Sequence, residues 1–298
     1  MADTIRYGNQ YRIAIGLETA FNSGATTAGT PATTDWHDLV VLPGILELTP
    51  VVNTADTQFK TGSFASHPFE QIPTTSGATV NYRGDLCLES SILFDLFFNS
   101  GVANTLKTVG SNPNATPLSA VIYMIHNDYA TSYACDKVQG CKCTELVIES
   151  AQGGLVTVNA TFEAAAMARE VSQAITGTDP RNPAPNPAQF ADVNATLGMG
   201  AASTYGLESF GITLTNVFTS DGIKFANNRT MSHPLITGVT GEIRYTCPYN
   251  ATGAEAGVSY LNDPNAEIND YIRIFNSELK YIDIVTVSIP TSIERPIS

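Results

Sequence analysis

The chain has 298 residues, with 15 basic and 28 acidic side chains and a formal net charge of −13. Charged residues make up only 14% and hydrophobic ones 43%, which excludes a disordered chain of low apolar content and high charge. An acidic chain without a basic tract is a poor ligand for DNA or anionic membranes, and no apolar run approaches the ~18–20 residues that span a bilayer.

The first eight residues, Met1 to Gly8, show no basic start followed by an apolar stretch, so no secretory signal is expected. Residues 20–34 are rich in Gly, Ala, Thr and Ser and read as an exposed loop or arm. Strand signals then follow as short alternations. Leu46 and Leu48 alternate with Glu47 and Thr49; Ala78, Val80 and Tyr82 alternate with Thr79, Asn81 and Arg83. A period of two packs one face and leaves the other polar.

Helix is scarce. Residues 89–99 carry Ile92, Leu93, Leu96 and Phe97 at three- and four-residue spacing. Residues 111–116 read as a loop. Next comes a hairpin, residues 143–150 and 155–163, turning at Gln152-Gly153-Gly154. Its polar face carries Glu145, Glu149, Thr157, Asn159, Thr161 and Glu163. Residues 164–174 favour a second helix by propensity. Residues 176–194 hold four prolines without periodicity and read as a linker. Beyond it, Ile212 and Leu214, then Ile243 and Tyr245, then Val285, Val287 and Ile289 complete the alternating set. The expected division is residues 1–40 as N-terminal arm and loop, 41–175 as a first β domain, 176–195 as linker and 196–298 as a second β domain.

Shifting the sequence by 166 residues superposes Leu48 on Leu214, Thr49 on Thr215, Val51 on Val217, Phe59 on Phe225 and Ser66-His67-Pro68 on Ser232-His233-Pro234. Those are seven identities in the 25 residues 44–68, where chance gives about one or two for residues of ordinary frequency. A contraction to an offset of 163 then places Val80 on Ile243 and Tyr82 on Tyr245. The expectation is two copies of one β-rich unit. Convergent strand patterning is the competing account.

Chemistry-bearing motifs are sparse. The five cysteines (Cys87, Cys135, Cys141, Cys143, Cys247) form no disulfide framework. Cys135-x5-Cys141-x-Cys143 departs from zinc spacing, and partly buried thiols are the plainer reading. His67 and His233 precede prolines and read as turn residues; His37 and His126 are isolated. The run from Asp263 to Asn269 resembles the opening of a calcium loop but has Ile268 and Ile274 where the glycine and the final acid belong. There is no nucleophile elbow, phosphate loop, zinc-protease motif or dinucleotide fingerprint. The sequence points to a protein without enzymatic activity or cofactor.

The run Arg12-Ile13-Ala14-Ile15-Gly16-Leu17-Glu18-Thr19-Ala20-Phe21, followed by Gly29-Thr30-Pro31-Ala32, resembles the opening of tail tube proteins of long-tailed bacteriophages. The order of later features is similar too: the strand with Leu46 and Leu48, residues 77–85, the helix with residues 93–98, and a hairpin entered through Tyr133, Gly140 and Cys141. A second half with residues 207–216 and 237–245 follows, whose only counterpart of the helix is residues 254–261 or 266–275. The resemblance implies a mainly β fold of two tandem β-sandwich or barrel-like units, with one short helix in the first. It implies a structural virion protein that self-associates in stacked rings, a trimer of duplicated chains being favoured over a hexamer. Those rings would contact other tail proteins, and viral DNA would pass through without specific binding. The six polar hairpin residues are then candidates to face the lumen. A receptor- or glycan-binding β-sandwich of a fibre or adhesin is the alternative, weakened by a single tryptophan, Trp36.

Overall fold

Each of the alternating runs forms a strand. The computed structural model describes residues 11–24, 37–39, 46–56, 71–86, 90–99, 118–126, 133–173, 193–196, 208–218, 236–246, 268–275 and 281–288. In chain order they form β1 (Tyr11–Leu17), β2 (His37–Leu39), β3 (Leu46–Asp56), β4 (Gln71–Asp85), α1 (Ser91–Phe98), β5 (Ala120–His126), β6 (Tyr133–Ala151) and β7 (Thr157–Ala164). Then come β8 (Ala166–Gln173), β9 (Val193–Thr196), β10 (Ser209–Phe218), β11 (Ile236–Thr246), β12 (Ile268–Phe275) and β13 (Tyr281–Ser288).

Ten strands share one sheet, with the path β2-β1-β5-β6-β7-β4-β3, with β8 and β10 branching from β6 and with β11 paired to β10. All its ladders are antiparallel. The branch exists because β6 is 19 residues long and serves two sets of neighbours. Its first part pairs with β5 and β8, its second with β7 and β10. Register shifts near Ala120/Ile122 and between Cys143 and Glu145 mark the change. A bulge bends its strand and increases twist, and the sheet curls there. A separate three-stranded sheet has the order β13-β12-β9.

The curl encloses α1. Ile92, Leu93, Phe94, Leu96 and Phe97 are buried, so the helix is apolar nearly all round and sits inside the core. Around it pack Ile13, Ile15, Val80, Tyr82, Ile122, Val138, Leu146, Ile148, Val158 and Phe162. Burying each such side chain fully is worth about 1.5–3 kcal/mol. Phe210, Ile212 and Ile274, from beyond the proline-rich segment, belong to the same cluster.

Three expectations change. Residues 164–174 do not form a helix: β8 pairs along the first part of β6, with Met167 opposite Val138 and Val171 opposite Cys135. Intrinsic propensity is a weak prior, and an available ladder overrides it. The described part of the candidate 266–275, residues 268–275, forms a strand for the same reason, with β12 flanked by β13 and β9. Finally, β1 lies within the segment read as an arm, yet its Ile13, Ala14 and Ile15 are buried and it pairs with β5 throughout. Residues 25–36, 57–70, 174–192, 219–235 and 247–267 are among those outside the described residues. They include most of the expected linker, His67, His233 and the other helix candidate, 254–261.

Candidate functional site

The β6–β7 hairpin turns through Gly153, whose φ of +78° is a left-handed conformation that glycine adopts without steric cost. Beyond the turn, strand alternation sorts the two faces. Leu146, Ile148, Val158, Ala160 and Phe162 are buried, whereas Glu145, Glu149, Thr157, Asn159 and Thr161 are half-buried and Glu163 is exposed. All six polar residues nominated from the sequence therefore share the face opposite the core. The ladder brings them together: Glu145 is opposite Thr161, and Glu149 is opposite Thr157.

The face extends well beyond the hairpin. Asn81 of β4 lies opposite Thr161, and Thr215 of β10 lies opposite Glu145 and Thr240 of β11. One row thus runs Asn81, Thr161, Glu145, Thr215, Thr240 across five strands. The next runs Arg83, Asn159, Val147, Thr213, Glu242. A third runs Asp85, Thr157, Glu149, Gly211, Arg244. Sequence patterning marks Asn81 and Arg83 as the polar half of their own run, and Thr213 and Thr215 alternate with Ile212 and Leu214 in the same way. Only strand order joins those runs into one surface.

Its electrostatics are acidic and locally neutralised. Arg83 Nη2 lies 2.9 Å from Glu149 Oε1, and Asn159 Nδ2 donates to the same oxygen at 3.4 Å. Arg244 donates to Glu242 through Nε at 2.8 Å and Nη2 at 3.0 Å, which holds that carboxyl below its usual range. Burial raises the Asp85 carboxyl. The carboxylates of Glu145 and Glu163 add further negative charge.

A second polar node fixes the bend of β6. Glu18, at the end of β1, is 8% exposed. It accepts from Ser119 Oγ at 2.6 Å and from the backbone N–H groups of Gly24 at 2.9 Å, Asn22 at 3.1 Å and Gly140 at 3.1 Å. Lys142 is 3% exposed; its Nζ donates to Leu118 O at 2.9 Å and lies 5.1 Å from the Phe21 ring centroid. Burial lowers its ammonium to about 7, opposed chiefly by the charge of Glu18. This node includes Glu18 and Phe21 of the N-terminal motif, and Gly140 of the hairpin approach.

Cys141 and Cys143 are free and buried, and burial pushes both thiols up. Among the described residues no three His, Cys, Asp or Glu side chains converge as a metal site. Asp263 and Asn265 lie outside them, and Ile268 and Asn269 begin β12.

A curled sheet that encloses its core on one side and presents ladder-paired polar rows on the other defines a mainly β protein whose described polar residues form an extended surface. Over residues 8–261 the chain matches the family model described as phage tail tube protein, and it belongs to that family. No curated protein matches it. Family membership makes it a structural component of the virion tail, with self-assembly and contacts to other tail proteins implied.

Proposed function

We propose that the chain polymerises as stacked rings into the tail tube and that the tube is the conduit for DNA ejection. It does so without enzymatic activity or cofactor and is assembled in the host cytoplasm. One observation carries this reading: β10, from the second half of the chain, is seated on β6 from the first half in a seven-residue ladder. Strand pairing thus already extends the sheet from one half to the other. Repeating that operation between copies would complete β3 and β11, which among the described residues pair only with β4 and β10. An unpaired edge is an aggregation hazard, and closing the sheet around a ring removes it.

The two halves are read as repeats, and their ladders support this. Tyr123 of β5 is opposite Ala14 of β1 and Lys137 of β6. Tyr271 of β12, 148 residues later, is opposite Thr196 of β9 and Val285 of β13. Val285 is again 148 residues beyond Lys137, and Thr196 is 182 beyond Ala14. The same offsets carry Tyr11↔His126 onto Val193↔Ile274 and Ile125↔Cys135 onto Arg273↔Asp283. They also superpose Gly16 on Gly198 and Tyr133 on Tyr281. The small sheet β9-β12-β13 thus matches β1-β5-β6 register for register, which supports that reading. For β3 and β10 the 166-residue offset stands. The ladder, however, pairs Leu48 with Val80 but Leu214 with Gly241. An offset of 161, in place of 163, restores register between β4 and β11. It aligns Gly77 with Gly238, Thr79 with Thr240 and Arg83 with Arg244. A chain of two such units builds a three-chain ring with pseudo-six-fold symmetry, since the same contacts recur.

The polar rows then line the lumen. Carboxylates repel phosphate within a Debye length of about 8–10 Å, and hydroxyls and amides offer no fixed positive charge. Such a wall lets a duplex slide without being held. The test is negative-stain electron microscopy of the purified chain. Stacked annuli or hollow filaments are expected; a persistent monomer with glycan affinity would overturn the reading in favour of a receptor-binding module.

A further inference from the structure

Two strands of this chain are fitted to one kind of position. Leu48, Thr49 and Val51 of β3 recur as Leu214, Thr215 and Val217 of β10, and each strand forms an antiparallel pair with the next one along the chain. Only β10 is seated on β6, with Ile212 opposite Ile148 and Leu214 opposite Leu146. At the equivalent places β3 carries Leu46 and Leu48. Apolar pairing therefore does not tell the strands apart, and in an assembly the β3 strands of other copies are present at high local concentration.

The strands differ at the next position on that face, which is the buried Asn216 in β10 and the exposed Pro50 in β3. Asn216 is 5% exposed, and its Nδ2 donates to Phe97 O and to Cys143 O, each at 3.0 Å. Phe97 lies in the last turn of α1, where carbonyls have no partner within the helix. Cys143 stands at the bulge of β6, where the ladder skips. One amide thus ties together the helix end, the bulge and the incoming strand. Proline has neither a side-chain donor nor a backbone N–H. A β3 strand in that position would bury both carbonyls without this donor.

We propose that Asn216 is the specificity determinant of the seam: it assigns the position on β6 to the chain's own β10 and denies it to β3 of a second copy. This rests on the reading of the two halves as repeats that assemble edge to edge. Pro50 is the complementary half of the device, because it leaves β3 free for its correct neighbour without competing for the internal seam.

Cross-strand cysteines read the occupancy. Val147 lies opposite Thr213, and Glu47 is the repeat equivalent of Thr213. In a Val147→Cys, Thr213→Cys chain, oxidation forms the 147–213 bridge within one chain. In a Val147→Cys, Glu47→Cys chain, no 47–147 bridge forms between chains. Peptide mass mapping separates both bridges from those of the native cysteines. Adding Asn216→Leu with Pro50→Asn to each reporter makes the interchain 47–147 bridge appear, at least tenfold above the detection background of the unsubstituted reporter, and lowers the 147–213 bridge. If the leucine variant does not fold, Asn216→Ser with Pro50→Asn is read the same way. The proposal is overturned if the 47–147 bridge already forms with Asn216 and Pro50 in place, or if the paired substitutions leave both bridges unchanged. Whether the unsubstituted reporter chains form annuli is scored separately by microscopy, so failure of the tube reading is distinguishable from failure of the seam determinant.

Discussion

Arg83 of β4 reaches across β7 to Glu149 of β6, with Nη2 2.9 Å from Oε1, and the two side chains are 39% and 42% exposed. Water competes for both groups, so the pair stabilises the fold by less than about 1 kcal/mol. A double-mutant cycle of Arg83→Met and Glu149→Gln by urea unfolding is expected to give a coupling below that value, falling further as salt is added. A coupling of about 3 kcal/mol would instead mark a pair shut off from water, which is incompatible with an open polar face.

The consequence of that pair for the tube concerns charge more than stability. Replacing Glu145 and Glu149 with lysine turns the carboxylates that β6 contributes to the first and third rows into cations, beside an Arg83 left without its partner. The fold loses no buried contact, so rings and tubes are expected to form at wild-type yield. DNA ejection is expected to slow, because lysines in a narrow channel hold phosphates. Complementation of a tail-tube-deficient phage checks this; normal infectivity of the double variant would remove these residues from the lumen.

How far the sequence was readable depends on the range of the interactions concerned. The hairpin, α1 and the six polar positions follow from local periodicity, and each is found where the alternation placed it. Strand β8 was hidden because Ala, Met, Arg and Glu prefer helix in isolation, and only the exposed flank of β6 makes a strand of them. The width of the polar face was hidden as well, since it requires β10 to pair with β6 about 65 residues away in sequence. The node at the bend was least visible of all. Glu18, Ser119 and Gly140 come from three separate elements, and no spacing rule links a carboxylate to a backbone N–H 122 residues on.

Gly140 tests that node directly. Its φ is +65°, and a Cβ built there would lie 2.7 Å from Ala165 Cβ and 3.2 Å from Asn22 Cβ. A left-handed non-glycine residue costs about 1–3 kcal/mol, and overpacking adds a similar amount. Gly140→Ala is therefore expected to destabilise the chain by roughly 2–4 kcal/mol in chemical denaturation. A loss under about 1 kcal/mol, below the cost of a left-handed non-glycine residue, would show that the bend accommodates a side chain at this position without the strain its φ implies.

Lys142 makes stability depend on pH in a direction opposite to that of a surface lysine gaining a partner. Its folded-state pKa is about 7 against an ordinary 10.5, because burial disfavours the ammonium more than Glu18 restores it. Between those values the unfolded chain holds a proton that the folded chain has released. Stability from this group therefore rises with pH from about 7 to 10.5, by at most about 1.4 kcal/mol per unit, and is flat below pH 7 where both states are protonated. The buried thiols of Cys141 and Cys143 work the other way at alkaline pH, since they stay protonated in the fold while unfolded thiols ionise. The largest part of that contribution comes from burial, is shared by a Lys142→Met variant and cancels on subtraction. The measurement is the difference in unfolding free energy between wild type and Lys142→Met at pH 6, 7, 8 and 9. It should be constant up to pH 7 and then shift in favour of wild type by about 1 kcal/mol or more by pH 9. A difference that stays flat across the whole range would mean that the ammonium remains charged inside the fold, held by the Glu18 carboxylate beside it.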